Sequence, residues 1–388
     1  MVKKTHTFKF GELFCGPGGI GLAAKLARVE TTDGGVYQFS HVWATDYDED
    51  SCNTYRHNLL SDKPHAVICE DIRHLDLDRL AEIEPNVDVL AFGFPCNDFS
   101  LLGERKGMNG RYGPLYKYCV KALKRFRPQW FFAENVGGLN SNDGRALKVI
   151  LQEFAGEGYV LHPHLYKFEQ YGVPQTRHRI VIIGIRSDLN VTFEPPAPTL
   201  RNGEFVSVSE ALRNIPPEAP NQERTRHARH VVERLKYIGW GENAFDAAER
   251  MPERLRLNVQ GAKLSNIYRR LHPEKPSYTI TGSGGGGTHV YHWDEPRALT
   301  NRERARLQTF PDDYFFCGSK ESVRRQIGMA VPPKGAQAIL EAVLKAFAGV
   351  PYESVPSNLR HLLDDATSQV DQIRLALTAG ATIDWSRV

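Results

Sequence analysis

The sequence predicts an α/β fold, a mostly parallel sheet covered by helices, followed by a smaller and less regular domain. Three observations carry that expectation. Short β-rich apolar runs alternate with amphipathic stretches from Phe8 to Arg186, the pattern of βαβ units. A glycine-dense turn, Phe14-Cys15-Gly16-Pro17-Gly18-Gly19-Ile20-Gly21, follows the first of those runs. Beyond Arg186 the texture changes to Pro195, Pro196, Pro198, Pro216, Pro217 and Pro220, then an Arg/His-rich stretch, then Gly282 to Gly287 interrupted only by Ser283.

The candidate strands, in order, are Phe10 to Phe14, His41 to Thr45, Ala66 to Cys69, Val87 to Phe94, Trp130 to Glu134 and Arg179 to Ile185. The last is apolar without alternation, as a strand covered on both faces requires. Between them, Leu22, Leu26 and Val29 recur at helical spacing; so do Leu147, Ile150, Leu151 and Phe154, in a segment closed by Gly156 and Gly158. Thr300-Asn301-Arg302-Glu303 fits a capping box that starts a helix through about Gln308. Pro332 and Pro333 open another helix, whose stripe of Ala336, Ile339, Leu340, Val343, Leu344 and Phe347 predicts packing on the core of the first domain. The expected domains are thus 1–187, completed by 323–388, and 188–322. Residues 351–388 carry no legible chemistry.

At 388 residues, 41% hydrophobic and 24% charged, the chain has the composition of a globular protein long enough for two domains. Its net charge of +3 decides nothing about partners, but Arg201 to Lys275 holds 14 Lys+Arg against 10 Asp+Glu, so the basic excess sits in the second domain. No run of about 18 apolar residues offers a membrane span. Lys3 and Lys4 are followed by polar residues and not by an apolar core, so no secretory signal is expected and a cytoplasmic location follows. Six cysteines without a CxxC pair indicate neither a zinc site nor a disulfide framework, and no metal is expected.

Gly16, Gly18 and Gly21 satisfy GxGxxG, which fits a nicotinamide-dependent oxidoreductase and an adenosylmethionine-dependent methyltransferase alike. Asp46 and Asp71 end the second and third candidate strands, where a ribose hydroxyl pair and an adenine amino group need acceptors; each alone is equally a helix N-cap. The fourth strand runs into Phe94-Pro95-Cys96-Asn97, placing one thiol at the carboxyl edge of the sheet, where open α/β sheets bind ligands. A polar, basic loop to Gly113 follows, suited to a lid. The fifth strand brings Glu134 to the same edge. Gln175-Thr176-Arg177-His178-Arg179 enters the sixth with alternate arginines on one side of an extended chain.

Six blocks in this order resemble the DNA (cytosine-5)-methyltransferase family: Phe14 to Gly19, Pro95-Cys96, Glu134-Asn135-Val136, Gln175 to Arg179, Arg297 to Asp312, and Gly328 to Pro333. The resemblance implies a Rossmann-like S-adenosylmethionine-dependent domain and a target-recognition domain. It implies that Cys96 adds to C6 of a cytosine flipped out of double-stranded DNA, that Glu134 donates to N3, that Arg179 contacts O2 and steadies Glu134, and that Arg177 holds a phosphate. Cofactor contacts implied are Phe14, Gly16, Pro17, Gly18, Gly19, Asp46, Tyr47, Asp71, Ile72, Pro95, Leu115, Met329 and Ala330. DNA contacts expected are Asn97, Ser100, Arg105, Arg226, Arg229, Arg269 and Gly285. Two departures from the family pattern are Asn97, where Gln is usual, and Met329, where Asn is usual. The family also implies a monomer, functional pairing with a cognate restriction endonuclease, and a nucleoid-associated bacterial setting. The oxidoreductase alternative leaves Pro95-Cys96, Glu134 and the arginine pair unexplained. A tRNA-directed cytosine enzyme shares the chemistry, and a catalytically dead DNA-binding relative is the non-enzyme alternative.

Overall fold

The computed structural model describes residues 5–94, 115–140, 144–201, 203–257 and 266–363. Eight strands are β1 Thr5–Leu13, β2 Arg28–Glu30, β3 Val36–Asp46, β4 Val67–Cys69, β5 Val89–Gly93, β6 Trp130–Val136, β7 Tyr159–Lys167 and β8 His178–Arg186. The helices are α1 Gly19–Leu26, α2 Glu49–Leu59, α3 Leu77–Ile83, α4 Tyr116–Phe126, α5 Arg145–Gly156, α6 Val208–Ala211, α7 Arg229–Leu235, α8 Asn301–Leu307, α9 Lys320–Met329 and α10 Pro333–Ala348. All strands join one sheet in the order β2-β3-β1-β5-β6-β8-β7, with β4 on β3.

The pairs β1–β3, β1–β5, β3–β4 and β5–β6 are parallel, as the alternating pattern predicts. β8 runs antiparallel to both β6 and β7, and β2 antiparallel to β3. Strand order reverses on either side of β1, which places a crevice at its carboxyl end, beside that of β5.

Period-two alternation sends successive side chains to opposite layers. Leu90 and Phe92 of β5 join Phe131, Ile180 and Ile182 in a core shared with α2, α4 and α5, whereas Val89 and Ala91 join Phe132, Val181 and Ile183 in a core shared with α1 and α10. β8 is therefore apolar throughout because both its faces are covered. The α5 residues Leu147, Ile150, Leu151 and Phe154 are all fully buried. The α10 stripe enters the second core as expected, Phe347 only partly buried.

One expectation fails at α1. Leu26 ends the helix half-exposed, and Val29 belongs to β2. Ala27 breaks out of the helix into extended backbone, so the third member of the presumed face starts a strand.

Residues between Val208 and Leu307 supply two smaller apolar clusters, one around Leu235, Leu255 and Tyr291, the other around Ile280, Leu299 and Leu307. At α8 the Thr300 hydroxyl accepts from the Glu303 amide, and the Glu303 carboxylate accepts from the Thr300 amide at 2.7 Å, which is the predicted capping box. Among the described residues no helix is long and apolar enough to cross a membrane.

Candidate active site

β1 ends at Leu13, and Phe14 turns the chain in the left-handed region at φ 53°. The Cys15 amide donates to the Thr45 carbonyl at 2.9 Å and the Gly18 amide to the Cys15 carbonyl at 3.0 Å, closing a tight turn before α1. Gly18, at φ 91°, packs so closely that a Cβ would lie 2.8 Å from the Tyr314 hydroxyl, and at Gly19 it would strike the Val331 carbonyl. Glycine is required at both because neighbouring groups occupy the space of a side chain.

Around this turn a cleft opens to solvent. Phe14, Gly16, Pro17, Gly19, Asp46, Tyr47, Met329 and Ala330 line it, eight of the thirteen residues expected at a cofactor, and Glu134 reaches the same cleft. Gly18 lies behind the turn. Asp46, at the end of β3, accepts from the Gly16 amide at 2.8 Å and the Asp48 amide at 3.0 Å. Burial nevertheless lifts its carboxyl above the ordinary range.

Asp71 and Ile72 do not line the cleft. Asp71 is ion-paired with Arg73, which holds its carboxyl down to about 2, and Ile72 is buried in the core. Leu115 also packs into that core, at the start of α4, and not into the cleft wall. Pro95, Cys96, Asn97, Ser100 and Arg105 lie outside the described residues.

Parallel pairing sets Glu134 of β6 opposite Gly93, the last residue of β5. In the antiparallel pairing with β8, Glu134 faces Val181, which puts Arg179 on the same face one diagonal away. The guanidinium Nε lies 3.0 Å from Glu134 Oε1, and the two side chains are only 12% and 13% exposed. Burial pushes the Glu134 carboxyl up, Arg179 and Arg177 pull it down, and burial prevails. The next residue, Asn135, donates to the Phe94 carbonyl at 3.1 Å, fixing the chain as it leaves for Pro95 and Cys96.

Arg177 departs from expectation. It is 2% exposed, and its guanidinium donates to the carbonyls of Ile280 at 3.0 Å, Gly328 at 3.1 Å and Ala330 at 2.9 Å. It precedes β8, so strand alternation does not govern it and it turns inward onto those carbonyls. It ties the Gln175-to-Arg179 segment to the turn after α9, where Met329 is 62% exposed on the cleft.

Glu12 is a cleft residue that motif reading passes over. It is 1% exposed, accepts from the Tyr55 hydroxyl at 2.9 Å, and is pushed up to about 8 by burial. A lone Glu inside the otherwise apolar end of β1 was the available signal. Arg325 and Gln326 of α9 complete the wall, Arg325 bonding Asp48 at 2.9 Å.

The expected DNA contacts are scattered. Arg226 and Gly285 are exposed, Arg229 is exposed and paired with Glu233 at 3.2 Å, and Arg269 lies over the Tyr278 ring in a separate cavity with Trp240 and Lys275.

Residues 8–345 match the family model described as C-5 cytosine-specific DNA methylase. The type II methyltransferase M.BbvI of Brevibacillus brevis is 58% identical over 355 residues, 90% of this chain and 94% of that one. The type II methyltransferase M.NgoFVII of Neisseria gonorrhoeae is 38% identical, covering 88% and 87%. Among solved structures, a prophage-encoded E. coli chain described as a DNA modification methyltransferase superposes with a TM-score of 0.68 at 22% identity, over 88% of this chain and 99% of that one. The Dnmt2 methyltransferase of S. pombe superposes at 0.56 with 16% identity, over 88% and 99%. The solved structures support the Rossmann-like methyltransferase fold.

Proposed function

Because this chain belongs to the C-5 cytosine-specific DNA methylase family, we propose that its cleft binds S-adenosylmethionine and that Cys96, Glu134 and Arg179 carry out methylation of a flipped cytosine. The protein is a DNA (cytosine-5)-methyltransferase of the type II restriction–modification class. The single observation that carries the assignment of residues is the largely buried Glu134–Arg179 pair, whose acid is held toward its neutral form on the wall of the glycine-turn cleft.

The cofactor fits the residues present. Gly16 and Gly19 leave room at the turn, Asp46 offers lone pairs beyond its two amide contacts, and Phe14 and Tyr47 supply aromatic surface. S-adenosylmethionine, when bound, supplies the electrophilic methyl that C5 takes.

The chain's own groups do the rest. Cys96 as thiolate adds to C6, and the electron density passes to N3, where the neutral Glu134 donates its proton. Arg179 orients Glu134 and donates to O2. Loss of the C5 proton to water expels Cys96 as thiolate, and N3 returns its proton to the Glu134 carboxylate, which restores the ring. The target base is reached by flipping it out of double-stranded DNA, which costs a few kcal/mol.

Residues 188–322 are assigned to target recognition and hinge, with Arg226, Arg229, Arg269 and Gly285 toward DNA, and residues 1–187 with 323–388 to catalysis. The reading includes a monomer in the bacterial cytoplasm, associated with the nucleoid and paired with an endonuclease of the same specificity.

Conversion sequencing of plasmid DNA from cells expressing wild type or Cys96→Ser tests the reading. A short motif methylated at one cytosine only by the wild type is expected. Equal methylation by Cys96→Ser removes the nucleophile assignment, and methylation found only on tRNA removes the duplex DNA substrate.

A further inference from the structure

Four arginines cluster at α8, and three of them are held by hydrogen-bonded partners, although the buried Arg297 Nε has none. Arg297 binds Glu303 through two 2.8 Å contacts, Arg302 donates to the carbonyls of Pro220, Pro311 and Tyr314, and Arg306 binds Asp312 and nearby carbonyls. Arg304 is different. It is 2% exposed, yet its guanidinium has neither a hydrogen bond nor an ion pair among the described residues.

Two more orphaned donors stand beside it. Arg324 on α9 has a buried Nε without a partner, and so does the buried His289 at Nδ1. Helices α8 and α9, which carry Arg304 and Arg324, pack against each other, and both guanidiniums act electrostatically on His289, so the three share one locality. The acid next to Arg304, Glu303, is already held by Arg297 and the Thr300 amide. His289 is kept neutral, down to about 4, by burial first and by the two guanidiniums, so it contributes a donor and not a charge.

A buried cation without a counterion is unfavourable. Its natural complement is an anion. The surroundings say which kind. The Tyr291 hydroxyl donates to the Gly286 carbonyl at 2.7 Å, tying the glycine run to the wall of this locality. At the other end of the run, a Cβ on Gly282 would lie 2.9 Å from the Arg325 carbonyl and 3.2 Å from Met329, both residues of the reaction cleft. On the outer side the His227 ring packs 5.8 Å from that of His289, beside the exposed Arg226. Hydrogen-bond donors thus run from the surface inward to the Arg304 and Arg324 guanidiniums, alongside the cleft, in an enzyme that acts on DNA.

We propose that Arg304, Arg324 and His289 form a clamp for one backbone phosphodiester of the DNA substrate, next to the cleft that receives the target base. The clamp rests on the DNA-methylating reading and adds to it a fixed anchor for the strand. Phosphate contacts of this kind set register without reading sequence.

The test is duplex binding by fluorescence anisotropy over a salt series, with single methylphosphonates placed in turn along the methylated site. One position is expected to weaken the wild type about tenfold, the loss of a charge-assisted hydrogen bond, and to leave Arg324→Ala unaffected. Arg324→Ala is expected to lower the salt slope by about 0.9, with Arg324→Lys restoring part of it and the urea midpoint unchanged in both. Arg304→Met is the companion variant, but Arg324, which is partly exposed, carries the test if Arg304→Met fails to fold. An unchanged salt slope in Arg324→Ala, or equal methylphosphonate profiles in wild type and variant, overturns the clamp. So does stabilisation by inorganic phosphate that Arg324→Ala abolishes without any change in DNA affinity, which marks a free-phosphate site. Methylation of the same duplex by wild type is recorded in parallel, so failure of the DNA reading itself shows separately.

Discussion

Replacing Arg177 with Met separates two roles for a residue that sequence places on a phosphate and structure places inside the protein. The guanidinium makes three hydrogen bonds, at 2.9 to 3.1 Å, to the carbonyls of Ile280, Gly328 and Ala330. Hydrogen bonds to charged groups are worth about 1.5–3 kcal/mol each, a gross loss of roughly 4–9 kcal/mol. Relief of a buried charge returns several kcal/mol of that, and Met refills most of the volume. The net expectation is a destabilisation of about 3 kcal/mol, well within what a folded chain survives. Urea unfolding measures it, and duplex binding across a salt series accompanies it. An internal tie predicts a lower urea midpoint with an unchanged salt slope. A variant as stable as wild type whose salt slope drops by about one unit shows that Arg177 meets a phosphate, and refutes the reasoning from its burial.

Other outcomes follow from the same site. As the proposed acid, Glu134, whose carboxyl burial lifts above the ordinary range, is expected to make turnover fall as pH rises through that raised value; Glu134→Gln should be slower and lack this limb, and a limb that persists in the variant assigns it elsewhere. Glu12 is held to about 8 in the fold against an ordinary 4.5. Between those values the unfolded chain ionises and the fold does not, so Glu12 subtracts stability increasingly as pH rises through the window and by a constant amount above it. Glu12→Gln is therefore expected to gain up to about 4 kcal/mol at pH 7.5, seen as a flatter melting temperature against pH, and an unchanged profile contradicts a buried neutral acid. Thr300→Ala removes the capping box of α8 and should cost about 1 kcal/mol, read from the urea midpoint; a difference near zero means the cap is not holding that helix.

Features encoded by near neighbours were legible. The glycine turn, the Thr300–Glu303 box, the α5 face and the α10 stripe each depend on residues a few positions apart, and each took the form its spacing dictates. Features set by distant partners were not. β7 contains Pro163 and three polar or charged positions, and it persists because an edge strand tolerates the missing amide. The reversed direction of β8 depends on the β7 connection, which periodicity does not report. At the site, the motifs placed Glu134 and Arg179 together, 45 positions apart in sequence, but treated Arg177 as their equivalent. Alternation holds only within the strand, and Arg177 lies just outside it. Glu12 and the unpartnered Arg304 escaped because burial of a charged group is visible only once the layers are assembled.

The cleft also has a timetable. Its floor is made by Gly16 and Gly19 near the start of the chain, and its opposite wall by Arg325, Gln326 and Val331, whose carbonyl abuts Gly19. Ribosomes deliver roughly 5–20 residues per second, so the wall emerges about 15–60 s after the floor. Through that interval the glycine turn has no wall of α9 beside it, so the cleft is complete only once α9, in the last quarter of the chain, has emerged.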